Sequence, residues 1–126
     1  ATTAEQMIKR QAEFLGRYNP LIYPIVCATD ALRRDDPELN ASWHDRLANR
    51  RSGSLEFAKR LHRWQRLAEG WSIKTAGDWI TGQASVKLWE ELVIDLGWSR
   101  YRYVSTMHRA FQVLLRPPSE IEMLSE

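Results

Sequence analysis

The chain has 126 residues, of which 44% are apolar and 27% charged, with 6 Gly and 5 Pro. These proportions exclude a disordered tail, a collagen-like repeat and a low-complexity segment, and the length suits one domain with one hydrophobic core. The net charge of +2 is too small to indicate nucleic-acid binding by itself, and the single cysteine, Cys27, excludes an internal disulfide framework and a Cys-rich zinc site.

Targeting and membrane signals are not found in the sequence. No apolar run approaches the roughly 20 residues that a membrane-spanning helix needs. The first ten residues also lack the charged-then-apolar pattern of a secretory signal. We therefore expect a cytoplasmic protein that does not interact with a membrane.

The N-terminal region predicts two helices. Thr3 begins a sequence that fits a capping box, and the apolar spacing that follows predicts a helix over 3–18. Pro20 is expected to stop this helix, because the residue before a proline disfavours the α region. The next helix is expected to begin at Pro20 or near Tyr23 and to run to about Arg34.

A long helix is predicted for the middle of the chain. Asp36 is placed to cap it and Pro37 to occupy its first helical position. The apolar pattern continues to about Glu69, with Gly53 as a weak point because glycine costs about 1 kcal/mol inside a helix.

The C-terminal region predicts two further helices. One covers 72–96, with a local irregularity at 81–83, and Gly97 ends it as a C-cap. Ser99 then caps a last helix over 99–115. No segment alternates apolar and polar residues as a strand would, so the predicted fold is an all-α bundle of about five to six helices.

The apolar surface of the last two helices is wider than one neighbour can cover. The apolar arc of 99–115 spans about 180°, whereas about 100° suffices for a surface helix, and 86–96 is similarly broad. This predicts a homodimer built on a four-helix bundle, although a central, well-buried helix would give the same pattern. The predicted interface residues are Val86, Trp89, Val93, Tyr101, Val104, Met107, His108, Phe111 and Leu115.

Segment 76–115 resembles the C-terminal half of many TetR-family transcriptional regulators. Earlier anchors agree in order, among them Asn19-Pro20-Leu21, Asp36-Pro37-Glu38 and Trp43, so the resemblance covers nearly the whole chain. The matching residues in the segment itself are Asp78, Trp79, Val86, Trp89, Leu92, Val93, Gly97-Trp98-Ser99 and Tyr103.

This resemblance implies a helical effector-binding and dimerisation domain over 1–116, followed by a tail over 117–126. TetR-family proteins read DNA through an N-terminal helix-turn-helix unit, which this chain lacks. We therefore expect the regulatory domain of a repressor, with operator DNA contacted only through a part that is missing here. The segment 81–85 also lacks the proline that is frequent at this turn in the family.

The aromatic residues are the main candidates for a ligand site. By resemblance, their helices surround a pocket for a small apolar effector, with a few polar groups to orient it. For any single ring, packing in the core is the competing interpretation. The candidate ligand-binding residues are Phe14, Tyr18, Tyr23, Cys27, Trp43, Trp64, Trp79, Gln83 and Trp89.

The sequence does not favour catalysis, a metal or a cofactor. Cys27 lies in an apolar segment, where a free thiol usually packs as a small hydrophobe, and His44, His62 and His108 have no metal-ligand spacing. The cationic residues of the middle helix are expected to form a solvated face. That face consists of Arg46, Arg50, Arg51, Lys59, Arg60, Arg63 and Arg66.

Two functions therefore remain open from the sequence. The first is effector sensing by a dimeric TetR-like regulator. The second is a stand-alone helical dimerisation or protein-interaction module that binds no ligand. A cavity of several hundred Å³ within the bundle would count against the second function.

Overall fold

A computed structural model describes residues 2–118, and it confirms the all-α prediction. Residues 119–126, which make up most of the predicted tail over 117–126, lie outside the described part. An isolated antiparallel bridge joins Leu67 to Leu115. The helices are α1 (Ala4–Leu32), α2 (Pro37–Arg63), α3 (Ile73–Gln83), α4 (Val86–Trp89) with a π-helical continuation over Glu90–Asp95, and α5 (Arg100–Gln112).

Three of the predicted helix starts are confirmed. Thr3 caps α1 in a reciprocal capping box with Gln6. Asp36 accepts hydrogen bonds from the first turn of α2, in which Pro37 occupies the first position. Ser99 accepts a hydrogen bond from the backbone at the start of α5. In each case the side-chain oxygen satisfies an amide that has no partner within its helix.

The predicted break at Asn19-Pro20 is wrong, because α1 continues through both Pro20 and Pro24. A proline inside a helix removes one hydrogen bond and costs about 3 kcal/mol. Both rings lie on the exposed side of the helix. Tyr23, between the two prolines, and Val26, after them, pack against the rest of the molecule, and this packing offsets the loss.

Helix α2 passes Gly53 without interruption, as predicted, but it ends at Arg63 and not near Glu69. Gln65 adopts a left-handed backbone with φ of 57°. Its amide donates to the His62 carbonyl, and the next amide donates to the Leu61 carbonyl at 2.8 Å. This is the Schellman pattern that terminates helices, formed here with glutamine where glycine is usual.

The predicted helix over 72–96 is divided in two. Helix α3 ends at Gln83, and the Ser85 hydroxyl caps α4 by accepting a hydrogen bond from the Lys87 amide. The π-helical segment then closes with a bond from the Leu96 amide to the Glu91 carbonyl at 2.9 Å. Gly97, with φ of 75°, turns the chain into α5 as predicted.

The end of α5 falls three residues before the predicted Leu115. The chain there leaves the helix and pairs with the segment that follows α2. The Ala68 amide donates to the Leu114 carbonyl at 2.8 Å, and the Arg116 amide donates to the Arg66 carbonyl at 2.7 Å. This pairing takes the backbone groups that would have extended α5.

The core forms around α5, which packs along α1 and also contacts α3. Close approach of α1 and α5 depends on Gly16, since a Cβ at that position would lie 2.4 Å from a Val104 methyl group. Gly77 of α3 similarly makes room for Leu55 of α2. None of the helices in residues 2–118 is both long enough and apolar enough to cross a bilayer. The largest fully buried apolar side chains are Ile8, Leu61, Ile80, Tyr103, Met107, Phe111 and Leu114.

Candidate functional site

A cavity of about 600 Å³ lies between α1, α2 and the α3–α4 region. This volume is within the range of small-molecule sites in proteins. Its lining is mostly apolar, with several amides and three cationic side chains. The lining residues are Gln11, Phe14, Leu15, Tyr18, Asn19, Ile22, Val26, Trp43, Arg46, Leu47, Asn49, Arg50, Gly53, Ser54, Phe57, Ile80, Ala84, Val86 and Lys87.

Helix α1 supplies one wall of the cavity. Phe14, Tyr18, Ile22 and Val26 recur every four residues, so they lie along one side of the helix. The rings of Phe14 and Tyr18 stack with centroids 4.9 Å apart and planes 16° apart. Phe14 is 43% exposed and Tyr18 is 39% exposed. An apolar ligand could therefore bury substantial aromatic surface here.

Helix α2 supplies the opposite wall. Its lining residues follow helical spacing from Trp43 to Phe57, and Arg46 and Arg50 lie between them. The Arg50 Nη2 donates a hydrogen bond to the Thr81 carbonyl of α3 at 2.7 Å. Arg50 remains exposed, as predicted for a solvated face, although its guanidinium bonds to α3, whereas Arg46 is half-buried.

A charged cluster surrounds Trp43, which lines the cavity together with Lys87. Arg33 lies over the indole ring at 4.6 Å from its centroid, and Lys87 lies at 5.3 Å. The Asp30 carboxylate bridges the two cations, at 2.8 Å from Arg33 and 3.1 Å from Lys87. Hydrogen bonds from Arg33 and Lys87 hold the pKa of Asp30 below its usual value. The cluster connects α1, α2 and α4 through charge-assisted contacts.

The cavity is connected to the core through Asn19. This side chain lines the cavity but is only 1% exposed. Its Nδ2 donates a hydrogen bond to the Tyr103 hydroxyl of α5 at 3.0 Å. Burial raises the pKa of Tyr103 to about 12, so its hydroxyl stays protonated over the physiological range.

The nine candidate ligand-binding residues lie in different parts of the structure. Three of them, Phe14, Tyr18 and Trp43, line the cavity. Tyr23, Cys27 and Trp89 form a different cluster where α1 meets α4. There the rings of Tyr23 and Trp89 meet edge to face at 5.2 Å.

Cys27 belongs to that second cluster, and its Sγ donates to Glu90 at 3.6 Å. The pKa of Tyr23 is raised to about 12, mainly by its hydrogen bond with Cys27 and to a smaller extent by desolvation. The polar groups beside Cys27 are thus a carboxylate and a phenol, whereas an activated thiol would need a neighbouring histidine or cation.

The other three candidate ligand-binding residues also lie away from the cavity lining. Trp79 packs beside Trp71, with ring centroids 6.0 Å apart, and its indole N–H donates to the Ala110 carbonyl at 2.8 Å. Trp64 lies at the C-terminal end of α2 and Gln83 at the last position of α3. Trp79 thus packs in the core between α3 and α5, which was the competing interpretation.

The predicted dimer interface needs a correction. Trp89, Met107 and Phe111 are buried within the chain's own core, so they do not form an exposed surface. The apolar arc of α5 is wide because α1 covers one flank and α3 touches another, as the central-helix interpretation supposed. Val104 packs against Gly16, and Val86 lines the cavity.

Four predicted interface residues remain accessible to different degrees. Tyr101 is 83% exposed, while Val93, His108 and Leu115 are half-buried. Other exposed apolar side chains lie at Ile94 and Leu96, next to the turn before α5, and along the outer side of α1 at Leu21, Ile25 and Leu32.

Several functional-site residues could have been found from the sequence. The stripe from Trp43 to Phe57 keeps helical spacing, and its apolar residues alternate with polar ones that include two arginines. Within residues 2–118, no group of three or more His, Cys, Asp or Glu side chains could hold a metal ion. Comparison with models of known protein families, with curated proteins and with solved structures finds no match to this chain.

Proposed function

We propose that this chain is the regulatory domain of a TetR-like transcriptional repressor, which binds a small, largely apolar effector and forms a homodimer. The observation that carries the proposal is the cavity of about 600 Å³ between α1 and α2. A helix-turn-helix unit outside these 126 residues would contact operator DNA. The protein would act without a cofactor and without catalysis, in the cytoplasm.

The cavity favours this function over the alternative of an interaction module that binds no ligand. Such a module does not need a concave apolar site of this volume, and a small ligand bound there would bury the partly exposed, stacked rings of Phe14 and Tyr18. The amides and arginines among the apolar residues supply the few polar groups that usually orient a bound molecule.

A population shift would connect the cavity to DNA binding. Helix α1 carries one cavity wall and, by the resemblance, follows the DNA-binding unit directly. An effector that binds one conformation of α1 and α2 better than another stabilises that conformation. A coupling free energy of about 1–3 kcal/mol would change operator affinity by roughly 5- to 150-fold.

Dimerisation is proposed to use the exposed apolar residues around the turn that contains Gly97. Ile94, Leu96 and Tyr101 flank this turn and are each more than half exposed. Replacing Tyr101 with arginine adds charge at the most exposed of them without entering the core. We expect Tyr101→Arg to halve the mass measured by light scattering. The monomeric variant should still be folded and should unfold cooperatively on heating. A mass that is the same in wild type and variant would contradict this interface.

Ligand binding is tested by thermal-shift measurement of the 126-residue chain against a panel of neutral apolar and aromatic compounds. Phe14→Ala removes an exposed ring from the cavity wall, and Leu21→Ala removes an exposed apolar side chain elsewhere on α1. We expect compounds that raise the melting temperature to lose most of their effect in Phe14→Ala and to keep it in Leu21→Ala. If no compound stabilises the chain, or if both variants respond alike, the effector-binding proposal is wrong.

A further inference from the structure

The charges that line the cavity are all of one sign. Arg46, Arg50 and Lys87 contribute cationic groups, and no lining residue is acidic. Lys87 is neutralised by Asp30 at 3.1 Å. A purely apolar ligand would leave the two arginines facing its surface without a counter-charge.

The two arginines have no carboxylate partner in residues 2–118. They stand one turn apart on α2, where like charges repel. Desolvation and the neighbouring charge of Arg46 lower the pKa of Arg50. The bond from Arg50 to the Thr81 carbonyl fixes one end of its guanidinium and occupies only part of its five N–H donors.

The rest of the cavity is suited to an apolar group. Phe14, Tyr18 and Ile22 face it from α1, and Phe57 and Ile80 face it from α2 and α3. A ligand with an anionic head and an apolar body would satisfy both parts of the site. The head would relieve the repulsion between the arginines, and the body would cover the exposed rings.

We propose that the cavity binds an amphipathic organic acid, with its carboxylate between Arg46 and Arg50 and its aliphatic or aryl body against the aromatic side chains of α1. This inference rests on the proposed function in one respect, namely that the cavity is a ligand site. It adds the chemical class of the ligand. Arginine suits this role because its planar group pairs with both carboxylate oxygens.

The test compares three ligands with the same chain length: decanoate, decanamide and decylamine. Each is titrated by calorimetry below the concentration at which it aggregates. We expect decanoate to bind about tenfold or more tightly than decanamide, because hydrogen bonds between ionised partners are roughly twice as strong as neutral ones. We expect decylamine to bind most weakly, since its charge has the same sign as the arginines.

Substitution then assigns the preference to named residues. Arg46→Met keeps an apolar stem and removes the charge, and Arg50→Met does the same but also removes the bond to Thr81. Arg60→Met is the matched control, because Arg60 is an exposed residue of α2 outside the cavity. We expect the preference for decanoate over decanamide to fall in Arg46→Met and in Arg50→Met and to remain in Arg60→Met, while decanamide affinity is similar in Arg46→Met and Arg60→Met.

The outcomes separate this inference from the proposed function. Equal binding of decanoate and decanamide to the wild-type chain would overturn the organic-acid inference and leave an apolar effector site in place. A preference that stays at its wild-type value in both arginine variants would also overturn it. Binding of none of the three ligands would overturn the inference and would count against the effector site itself.

Discussion

Asn19 and Tyr103, which are 84 residues apart in the chain, are joined by a buried hydrogen bond of 3.0 Å from Nδ2 to the tyrosine hydroxyl. Asn19 also lines the cavity, whereas Tyr103 is fully buried in α5. The bond is the polar contact through which the cavity wall meets the core. Its energetics can therefore be measured apart from any ligand.

Tyr103→Phe is expected to destabilise the protein by about 1–3 kcal/mol, because it leaves the Asn19 amide buried without its acceptor. Urea denaturation measures the change. In a double-mutant cycle with Asn19→Leu, the double variant should lose less stability than the sum of the losses in the two single variants. The reason is that the second substitution removes the group that the first leaves unpaired. Strictly additive effects would show that the bond contributes nothing to stability.

Alkaline pH is expected to destabilise the fold through Tyr103. Its pKa is raised to about 12 in the folded chain by burial, whereas an unfolded tyrosine titrates near 10. The stabilisation from this group is complete below pH 10 and is lost as the pH rises from 10 to 12, by an amount on the order of 3 kcal/mol.

The measurement is the urea midpoint as a function of pH in wild type and in Tyr103→Phe. Tyr23, whose pKa is also raised to about 12, contributes to the wild-type loss, so Tyr23→Phe serves as the parallel control. The Tyr103→Phe variant should lose less stability than wild type between pH 10 and 12. Superimposable profiles for these two proteins would refute the assignment to Tyr103.

Gly16→Ala is expected to destabilise the chain by about 1–3 kcal/mol, although alanine favours helices over glycine. A Cβ at this position would lie 2.4 Å from the Val104 Cγ2. Gly53→Ala is the matched control, since nothing lies within 4 Å of its Cβ position in α2, and it should stabilise by up to about 1 kcal/mol.

The cause of the Gly16 effect can be separated by a second background. In Val104→Ala the clashing methyl group is gone, so adding Gly16→Ala should then be neutral or stabilising. Thermal unfolding of the four proteins measures this. If Gly16→Ala destabilises equally in both backgrounds, the close contact between α1 and α5 is not its cause.

Trp79→Ala is expected to cost about 3–5 kcal/mol, since the ring packs between α3 and α5 and its indole N–H bonds to the Ala110 carbonyl. Ligand affinity should be unchanged when it is measured below the melting temperature, because Trp79 does not line the cavity. Trp79→Phe keeps an aromatic ring while removing the indole N–H and part of the ring volume, so it should cost less than Trp79→Ala. Loss of ligand binding without loss of stability would place Trp79 in the site.

Local chemistry made the helix starts predictable. Thr3, Asp36 and Ser99 satisfy amides only two or three residues away, so the sequence carries the whole signal. The continuation of α1 through Pro20 was not predictable in this way, because it depends on packing against residues far along the chain. The end of α2 was missed for a related reason, since Gln65 has no strong preference for the left-handed backbone that it adopts.

The site was less predictable than the fold. Aromatic residues were chosen as ligand-binding candidates, but type alone does not separate Trp43 in the cavity wall from Trp79 in the core. Arg46 and Arg50 are predicted to lie on a solvated face, and Arg50 is exposed, but their spacing with Trp43 places all three on the same stripe of α2 beside the cavity. Whether one face of a helix meets solvent or a cavity depends on which helices pack together. That packing is determined by residues throughout the chain. The TetR-like function stays a prediction.

Helix α1 lacks two backbone hydrogen bonds beside the cavity. Neither Pro20 nor Pro24 has an amide hydrogen, so the carbonyl oxygens of Gly16 and Pro20 lack their usual donors four residues ahead. These gaps fall between Tyr18 and Val26, at the height where α1 faces the cavity. The helix is therefore most easily bent at the level of the cavity. Ligands of different width would be accommodated by a bend in α1 at this point, which would change the angle between the two halves of the helix.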